Sequence, residues 1–159
     1  MKILYICTHN RCRSILSEAI TNGIAGDIIV AKSAGSHPAG MVHPLSLEYL
    51  KQTGYSTQDL QSQSWNDFED FYPDVVVTVC DSAAGETCPV YFNNSIKLHW
   101  GLSDPSKIEG DEAAIKQAFL ACINEIAVRV QKLKIIADKG LGRDAFKVAV
   151  TNLVIHGNV

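Results

Sequence analysis

The segment KILYICTHNRCRS, residues 2–14, joins an apolar run to a polar loop that ends where a helix begins. The apolar residues 2–6 predict a buried β-strand. After the loop, the apolar side chains of residues 15–25 fall on one side of a helix, and Gly26 is expected to end it. A strand, a tight loop and a helix in this order are typical of the first unit of a parallel α/β sheet.

The rest of the chain repeats this alternation of strands and helices. Further strands are predicted at residues 28–31, 75–79 and 95–99, and further helices at residues 43–54 and from residue 111 to about 133. The strand at residues 75–79 is apolar on both faces, as a central parallel strand should be. Right-handed βαβ units of this kind predict an α/β three-layer sandwich with a four-stranded parallel sheet in the order 2-1-3-4.

Residues 1–137 are expected to form this domain. Residues 138–159 are predicted to be a C-terminal extension, to which the sequence assigns no role. Within the extension, residues 145–155 fit a strand, a helix or a tail that docks on a partner.

Composition and charge exclude several classes of protein. A chain of 159 residues with 47% hydrophobic and 19% charged residues fits one globular domain. Its net charge of -3, with 14 scattered Lys and Arg residues, argues against nucleic-acid binding. No apolar run is long enough to cross a membrane, and the N-terminal run is too short for a signal peptide, so we expect a cytoplasmic location. In that reducing compartment cysteines indicate reactive or buried thiols more than structural disulfides; the five are Cys7, Cys12, Cys80, Cys88 and Cys122.

The loop between the first strand and helix has the composition of an anion site. Loop N–H groups and the positive end of a helix attract anions and favour the thiolate of Cys7. Arg13 can make a planar two-pronged contact to a tetrahedral oxyanion, and Ser14 can donate a hydrogen bond to the thiolate. The alternative is a buried strand-end cysteine with a surface arginine. The predicted oxyanion-binding residues are Thr8, His9, Asn10, Arg11, Cys12, Arg13 and Ser14.

Two later loops should open at the same edge of the sheet as Cys7. In a parallel sheet the loops after strands one, three and four meet at the carboxyl edge, which brings Cys80 and Asp104 to the rim. Asp104 precedes Pro105, which is often only a turn, but at this rim it is a candidate general acid. Neighbouring strands lie about 4.8 Å apart, so a Cys7–Cys80 disulfide is geometrically feasible. Cys88 could fold back on Cys80.

For the other thiol and imidazole groups the sequence supports only weaker hypotheses. The cysteines lack the paired short spacing of a zinc site, so no metal is predicted from them. Cys122 lies on an apolar stripe and is expected in the core, whereas Cys12 fits either packing or an off-pathway pairing with Cys7. His9 is expected at the surface. No role is assigned to the remaining histidines, which are His37, His43, His99 and His156.

Over roughly residues 1–130 these motifs resemble the low-molecular-weight protein tyrosine phosphatase family, and within it the arsenate reductases that use three cysteines. The matching segments are Cys7–Ser14, Lys32-Ser33-Ala34-Gly35, Cys80 to Cys88-Pro89, and His99-Trp100-Gly101 with Asp104-Pro105. The resemblance implies that Cys7 is the nucleophile, Arg13 clamps the oxyanion and Asp104 is the general acid. It also implies a disulfide passed from Cys7 through Cys80 to Cys88, with arsenate as substrate, phosphate or sulfate as competitors, and thioredoxin as reductant.

No cofactor is required by this chemistry. Some family members bind potassium beside the loop, and Asn10, Glu18 and Ser33 match those positions, whereas no acidic partner is assigned near Asn66. One alternative is a tyrosine phosphatase of the same family, but residue 106, where such enzymes usually carry an aromatic side chain, is Ser106. Another is a non-catalytic oxyanion or redox sensor that would bind without turnover.

Overall fold

The sheet has four parallel strands in the predicted order. In the computed structural model, which describes residues 1–80, 83, 85–86 and 88–155, the order is β2-β1-β3-β4. The strands are β1 (Lys2–Ile6), β2 (Val30–Ala34), β3 (Val75–Thr78) and β4 (Ile96–His99). Ile3 to Ile6 are all buried, and because side chains alternate between faces, both faces of β1 are covered. The three-layer α/β prediction is therefore confirmed.

Four α-helices of the described chain cover this sheet. They are α1 (Arg13–Ala25), α2 (Pro44–Gln52), α3 (Glu112–Asp138) and α4 (Arg143–Ile155). Helix α2 begins where the His43 side chain accepts from the backbone N–H of Leu45, with Pro44 in the first turn. Helix α3 is capped by Asp111. None of the described helices is long and apolar enough to cross a membrane.

Several predicted boundaries were wrong by a few residues. The second strand begins at Val30 instead of residue 28, because the N–H groups of Ile28 and Ile29 bond the Ala25 carbonyl and close the end of α1. Helix α3 continues to Asp138, past the predicted end near residue 133, since nothing breaks it before Gly140 takes a left-handed conformation with φ of 62°. Smaller shifts move the start of α1 to Arg13, the end of β3 to Thr78 and the start of β4 to Ile96.

Within the C-terminal segment, where the sequence fits a strand, a helix or a docking tail, Arg143–Ile155 form the helix α4. Phe146 and Val150 are buried in the core cluster, and Arg143 donates to the Asn94 carbonyl at 2.6 Å. The helix contacts α3 and β4. Residues as far as Val150 therefore pack against the sheet domain itself, while His156 lies outside the described residues.

Candidate active site

The loop of residues 7–14 is held by hydrogen bonds to its outward-facing carbonyls. The carbonyl oxygens of Thr8, His9 and Arg11 accept, each at 2.9 Å, from N–H groups of residues 37–43. In a trans peptide the C=O and the following N–H point in opposite directions. Anchoring these carbonyls outside therefore turns the N–H groups of the next residues towards the inside of the loop, where an anion would be received.

Two backbone features make this loop possible. A Cβ at Gly35 would lie 2.6 Å from the Thr8 carbonyl oxygen and 3.0 Å from that of Cys7, so only glycine permits the segment to approach. Asn10 takes a left-handed conformation with φ of 47°, which asparagine tolerates better than most residues. The loop geometry thus depends on residues from two separate segments.

The donor and the acceptor of each hydrogen bond around Cys7 can be assigned in turn, starting from a backbone N–H group. The backbone N–H of Gln63 donates to Asn10 Oδ1 at 2.9 Å, which fixes the orientation of that amide. Asn10 Nδ2 must then donate to Ser14 Oγ, 2.8 Å away. Because Ser14 accepts there, its own hydroxyl hydrogen is free for Cys7 Sγ at 2.9 Å. Ser14 is therefore placed to donate a hydrogen bond to the Cys7 sulfur.

Cys7, Arg13, Asp104 and Cys80 line one cleft of about 180 Å³. Cys7, Cys80 and a third cysteine of the lining, Cys12, are all buried, so the cleft places three thiols beside two arginines. The cleft is also lined by Thr8, His9, Arg11, Cys12, Ser106 and Lys107. The prediction that loops after three strands would meet at one rim is confirmed by this geometry.

The two carboxylate oxygens of Asp104 make different contacts. Its Oδ1 accepts from the backbone N–H and the hydroxyl of Ser106, which caps a short 3₁₀ helix. Its Oδ2 lies 3.5 Å from Arg13 Nη2. Arg13 also donates from Nη1 to the Leu102 carbonyl at 2.9 Å. The turn role of Asp104 is therefore real, and its second oxygen faces Arg13 at the cleft.

Cys88 occupies a different cavity from Cys80. Cys80 lies within 3.8 Å of Thr8 Oγ1 and accepts from the Ala83 N–H at 3.4 Å. Cys88 is half-buried in a cavity of about 340 Å³ that Lys97 also lines. Burial raises the pKa of the Cys88 thiol, and the Lys97 ammonium partly opposes that rise. The structure therefore brings Cys80 to the cleft but leaves Cys88 outside it.

The remaining predicted thiol and imidazole groups are structural or exposed. Cys12 and Cys122 belong to the core cluster, and burial raises the pKa of each thiol to about 12. The expectation of a core position for Cys122 is confirmed. The exposed side chain of His9 interacts with the His37 carbonyl. His99 Nδ1 lies 2.9 Å from Thr78 Oγ1.

Asn10, Glu18 and Ser33 are the residues that suggested a potassium site. The Ser33 hydroxyl donates to Glu18 at 2.6 Å, and Gln63 bonds both Asn10 Oδ1 and the Ser33 carbonyl. Burial raises the pKa of Glu18. Glu18 Oε1, Asn10 Oδ1 and the Ser33 carbonyl oxygen therefore each accept one hydrogen bond, and the potassium site stays a prediction. Asn66 accepts instead from the Tyr91 hydroxyl. No cluster of three or more His, Cys, Asp or Glu suited to a metal occurs among the described residues.

Arg129 is a buried residue that sequence reasoning missed. It donates from Nη1 to the Trp100 carbonyl at 3.0 Å and from Nη2 to Glu125 at 3.0 Å, and its guanidinium lies 5.8 Å from the Trp100 ring centre. It therefore braces the segment between β4 and Asp104. The only sequence signal would have been an arginine on the apolar stripe of α3.

The fold and the cysteine loop are those of the low molecular weight phosphatase class. The chain belongs to the low molecular weight phosphotyrosine protein phosphatase family, whose model matches residues 2–146.

Several relatives of this chain are named arsenate reductases. The arsenate reductase of Halalkalibacterium halodurans is 32% identical over 81% of this chain and 91% of the relative. Arsenate reductase 1 of Staphylococcus epidermidis is 35% identical over 80% of this chain and 96% of the relative. Among solved structures, a thioredoxin-dependent arsenate reductase of Corynebacterium glutamicum superposes with a TM-score of 0.68 at 29% identity, covering 88% of this chain and 63% of that one.

We expect Arg13→Lys to weaken oxyanion binding by on the order of 10- to 100-fold, because a point charge cannot replace a two-pronged contact. The measurement is protection of Cys7 from iodoacetamide by phosphate or sulfate. Lys107→Met is the matched control, since it removes a cation from the same cleft but not from the loop. Near-normal protection of Cys7 in Arg13→Lys would contradict the loop geometry.

Proposed function

We propose that this chain reduces arsenate to arsenite with Cys7 as nucleophile, and passes the resulting disulfide from Cys7 through Cys80 to Cys88, where thioredoxin reduces it. The observation that carries the proposal is a further buried thiol, Cys80, in the same cleft as Cys7 and Arg13. The third thiol of the cleft, Cys12, is less suited to the relay because burial raises its pKa to about 12. Hydrolysis of a phosphate ester needs no second thiol, whereas a two-electron reduction does. The names of the relatives support arsenate as the oxyanion.

The first step is attack by the Cys7 thiolate on arsenic. Arg13 and the loop N–H groups hold the remaining oxygens, and an S–As bond forms as one As–O bond breaks. Protonated Asp104 gives its proton to a hydroxyl group of the arsenate, and that oxygen leaves as water. Arsenic remains As(V) at this stage.

The second step moves the electrons. The Cys80 thiolate attacks Cys7 Sγ, so an S–S bond forms while the S–As bond breaks and its electron pair stays on arsenic. Arsenic becomes As(III) and leaves as arsenite, and the two thiols become one disulfide. Cys88 then leaves its cavity and attacks Cys80, which releases Cys7 and moves the disulfide to Cys80–Cys88 for reduction by thioredoxin.

The second candidate is a tyrosine phosphatase that uses the same nucleophile and acid. Against it, residue 106 is a serine that donates to Asp104, and it offers no aromatic ring to a phosphotyrosine. A sensor that binds without turnover would need neither the second thiol nor the general acid. Arsenate reduction uses both.

A paired assay separates these candidates. NADPH consumption is measured with arsenate, thioredoxin and thioredoxin reductase, and nitrophenol release is measured from its phosphate ester with the same preparation. A reductase consumes NADPH only when arsenate and thioredoxin are both present. Rapid nitrophenol release without NADPH consumption would instead favour the phosphatase, and the absence of both would favour the sensor.

We expect Asp104→Asn to slow arsenylation of Cys7 by about a hundredfold, the usual contribution of a general acid. Asparagine keeps an oxygen for the Ser106 N–H, so the cap and the thermal unfolding midpoint should be retained. Transfer of a preformed Cys7–Cys80 disulfide to Cys88 should be unaffected. Rapid-quench kinetics of each step provide the measurement, and equal slowing of both steps would mean that Asp104 is only structural.

A further inference from the structure

Glu86 lies between the cleft of Cys7 and the cavity of Cys88. Its Oε1 accepts from the Thr8 hydroxyl at 3.0 Å, so the carboxylate touches the cysteine loop. Glu86 also lines the cavity that contains Cys88. Its side chain is 24% exposed, so much of this contact is shielded from water. The reaction proposed above gives Glu86 no part.

The single hydroxyl hydrogen of Thr8 has two neighbours that compete for it. Thr8 Oγ1 lies 3.0 Å from Glu86 Oε1 and 3.8 Å from Cys80 Sγ. An ionised carboxylate can only accept, so Thr8 donates to Glu86. The Thr8 oxygen can then only accept from Cys80, and this contact requires that Cys80 retain its thiol hydrogen.

We propose that Glu86 is a positioning residue which, through Thr8, keeps Cys80 in its thiol form until the disulfide relay needs it. When Glu86 withdraws, the Thr8 hydroxyl turns and donates to the Cys80 thiolate, while the thiol proton passes to solvent water. The carboxylate charge acts in the same direction, because it disfavours a second anion nearby. This inference rests on the proposed relay, which gives Cys80 its task.

The other charged and titratable groups near Glu86 leave this contact intact. His37 Nδ1 is 3.9 Å from Glu86 Oε2, but its side chain is 76% exposed, which makes a weak pair. Cys88 and Lys97 line the same cavity as Glu86. The Lys97 ammonium donates to two backbone carbonyls. Thr8 contacts both Glu86 and Cys80, and the other charged groups that line the cleft with Cys80 are Arg11, Arg13, Asp104 and Lys107, which Glu86→Gln leaves in place.

The test measures the reactivity of Cys80 in a Cys7→Ser background. Cys80 is labelled with iodoacetamide from pH 6 to pH 9, and peptide mapping assigns the label. Adding Glu86→Gln should make Cys80 react about tenfold faster near pH 7, since a neutral amide competes less well than a thiolate for the Thr8 hydroxyl. The pH of half-maximal labelling should fall by about one unit.

A second pair of variants tests whether Glu86 acts through Thr8. In a Thr8→Val background the same Glu86→Gln change should alter labelling of Cys80 by less than about twofold. Unchanged labelling in Glu86→Gln, or an equal effect with and without the Thr8 hydroxyl, would overturn the inference. Because this assay contains no arsenate, failure of the proposed function would appear separately, as absent arsenite release by the unaltered chain.

Discussion

Replacing Cys7 with serine is expected to abolish arsenate reduction and any phosphate-ester hydrolysis, each by at least about a thousandfold. In the proposed mechanism both reactions begin with the same sulfur, which lies 2.9 Å from the Ser14 hydroxyl oxygen. A serine hydroxyl at this position would stay protonated and could not form the S–As bond. The measurements are arsenite release and nitrophenol release by the purified variant.

Cys122→Ala is the matched control for this prediction. Cys122 is another buried thiol, its pKa is raised by burial to about 12, and it lies on α3 with no direct part in the proposed reaction. Its removal should leave both rates within about twofold of the unaltered chain. More than a trace of either activity in Cys7→Ser would contradict the assignment of Cys7 as nucleophile.

The sheet and the main residues of the cleft could be predicted because they depend on local pattern and topology. The apolar run of β1 ends directly at Cys7, and a helix pattern follows the loop. Once a parallel sheet is predicted, the carboxyl ends of its strands share one edge, which brings Cys80 and Asp104 to Cys7. None of these steps requires knowledge of side-chain packing.

The parts that could not be predicted depend on contacts between distant segments. Gln63 orients Asn10 through a backbone N–H, and any residue except proline could supply that group. Glu86 and Arg129 look like ordinary charged surface residues until the fold places one against Thr8 and buries the other beside Trp100. Sequence spacing also suggested that Cys88 could reach Cys80, but it contains no information about the separate cavity near Lys97.

The two outer cysteines of the proposed relay should fail at different steps. Cys80→Ser is expected to release no arsenite, because Cys7 alone cannot supply two electrons. Cys88→Ser should release about one arsenite per enzyme, since Cys7 and Cys80 together hold both electrons. It should then stop with Cys7 bridged to Cys80, two positions buried in the structure and poorly accessible to thioredoxin. The measurements are the number of arsenite molecules released per enzyme in a single turnover and peptide mapping of the trapped disulfide.

Transfer of the disulfide to Cys88 should also depend on pH. Burial raises the pKa of the Cys88 thiol, so little thiolate is present near neutrality and the transfer rate should increase as pH rises towards that pKa. In both cysteine variants, hydrolysis of a phosphate ester should persist, because that reaction needs only Cys7, Arg13 and Asp104. If Cys88→Ser instead cycles with thioredoxin at the rate of the unaltered chain, the relay is wrong. The disulfide would then be reduced at Cys80 directly, and a two-cysteine scheme that uses glutathione or a glutaredoxin would explain turnover better.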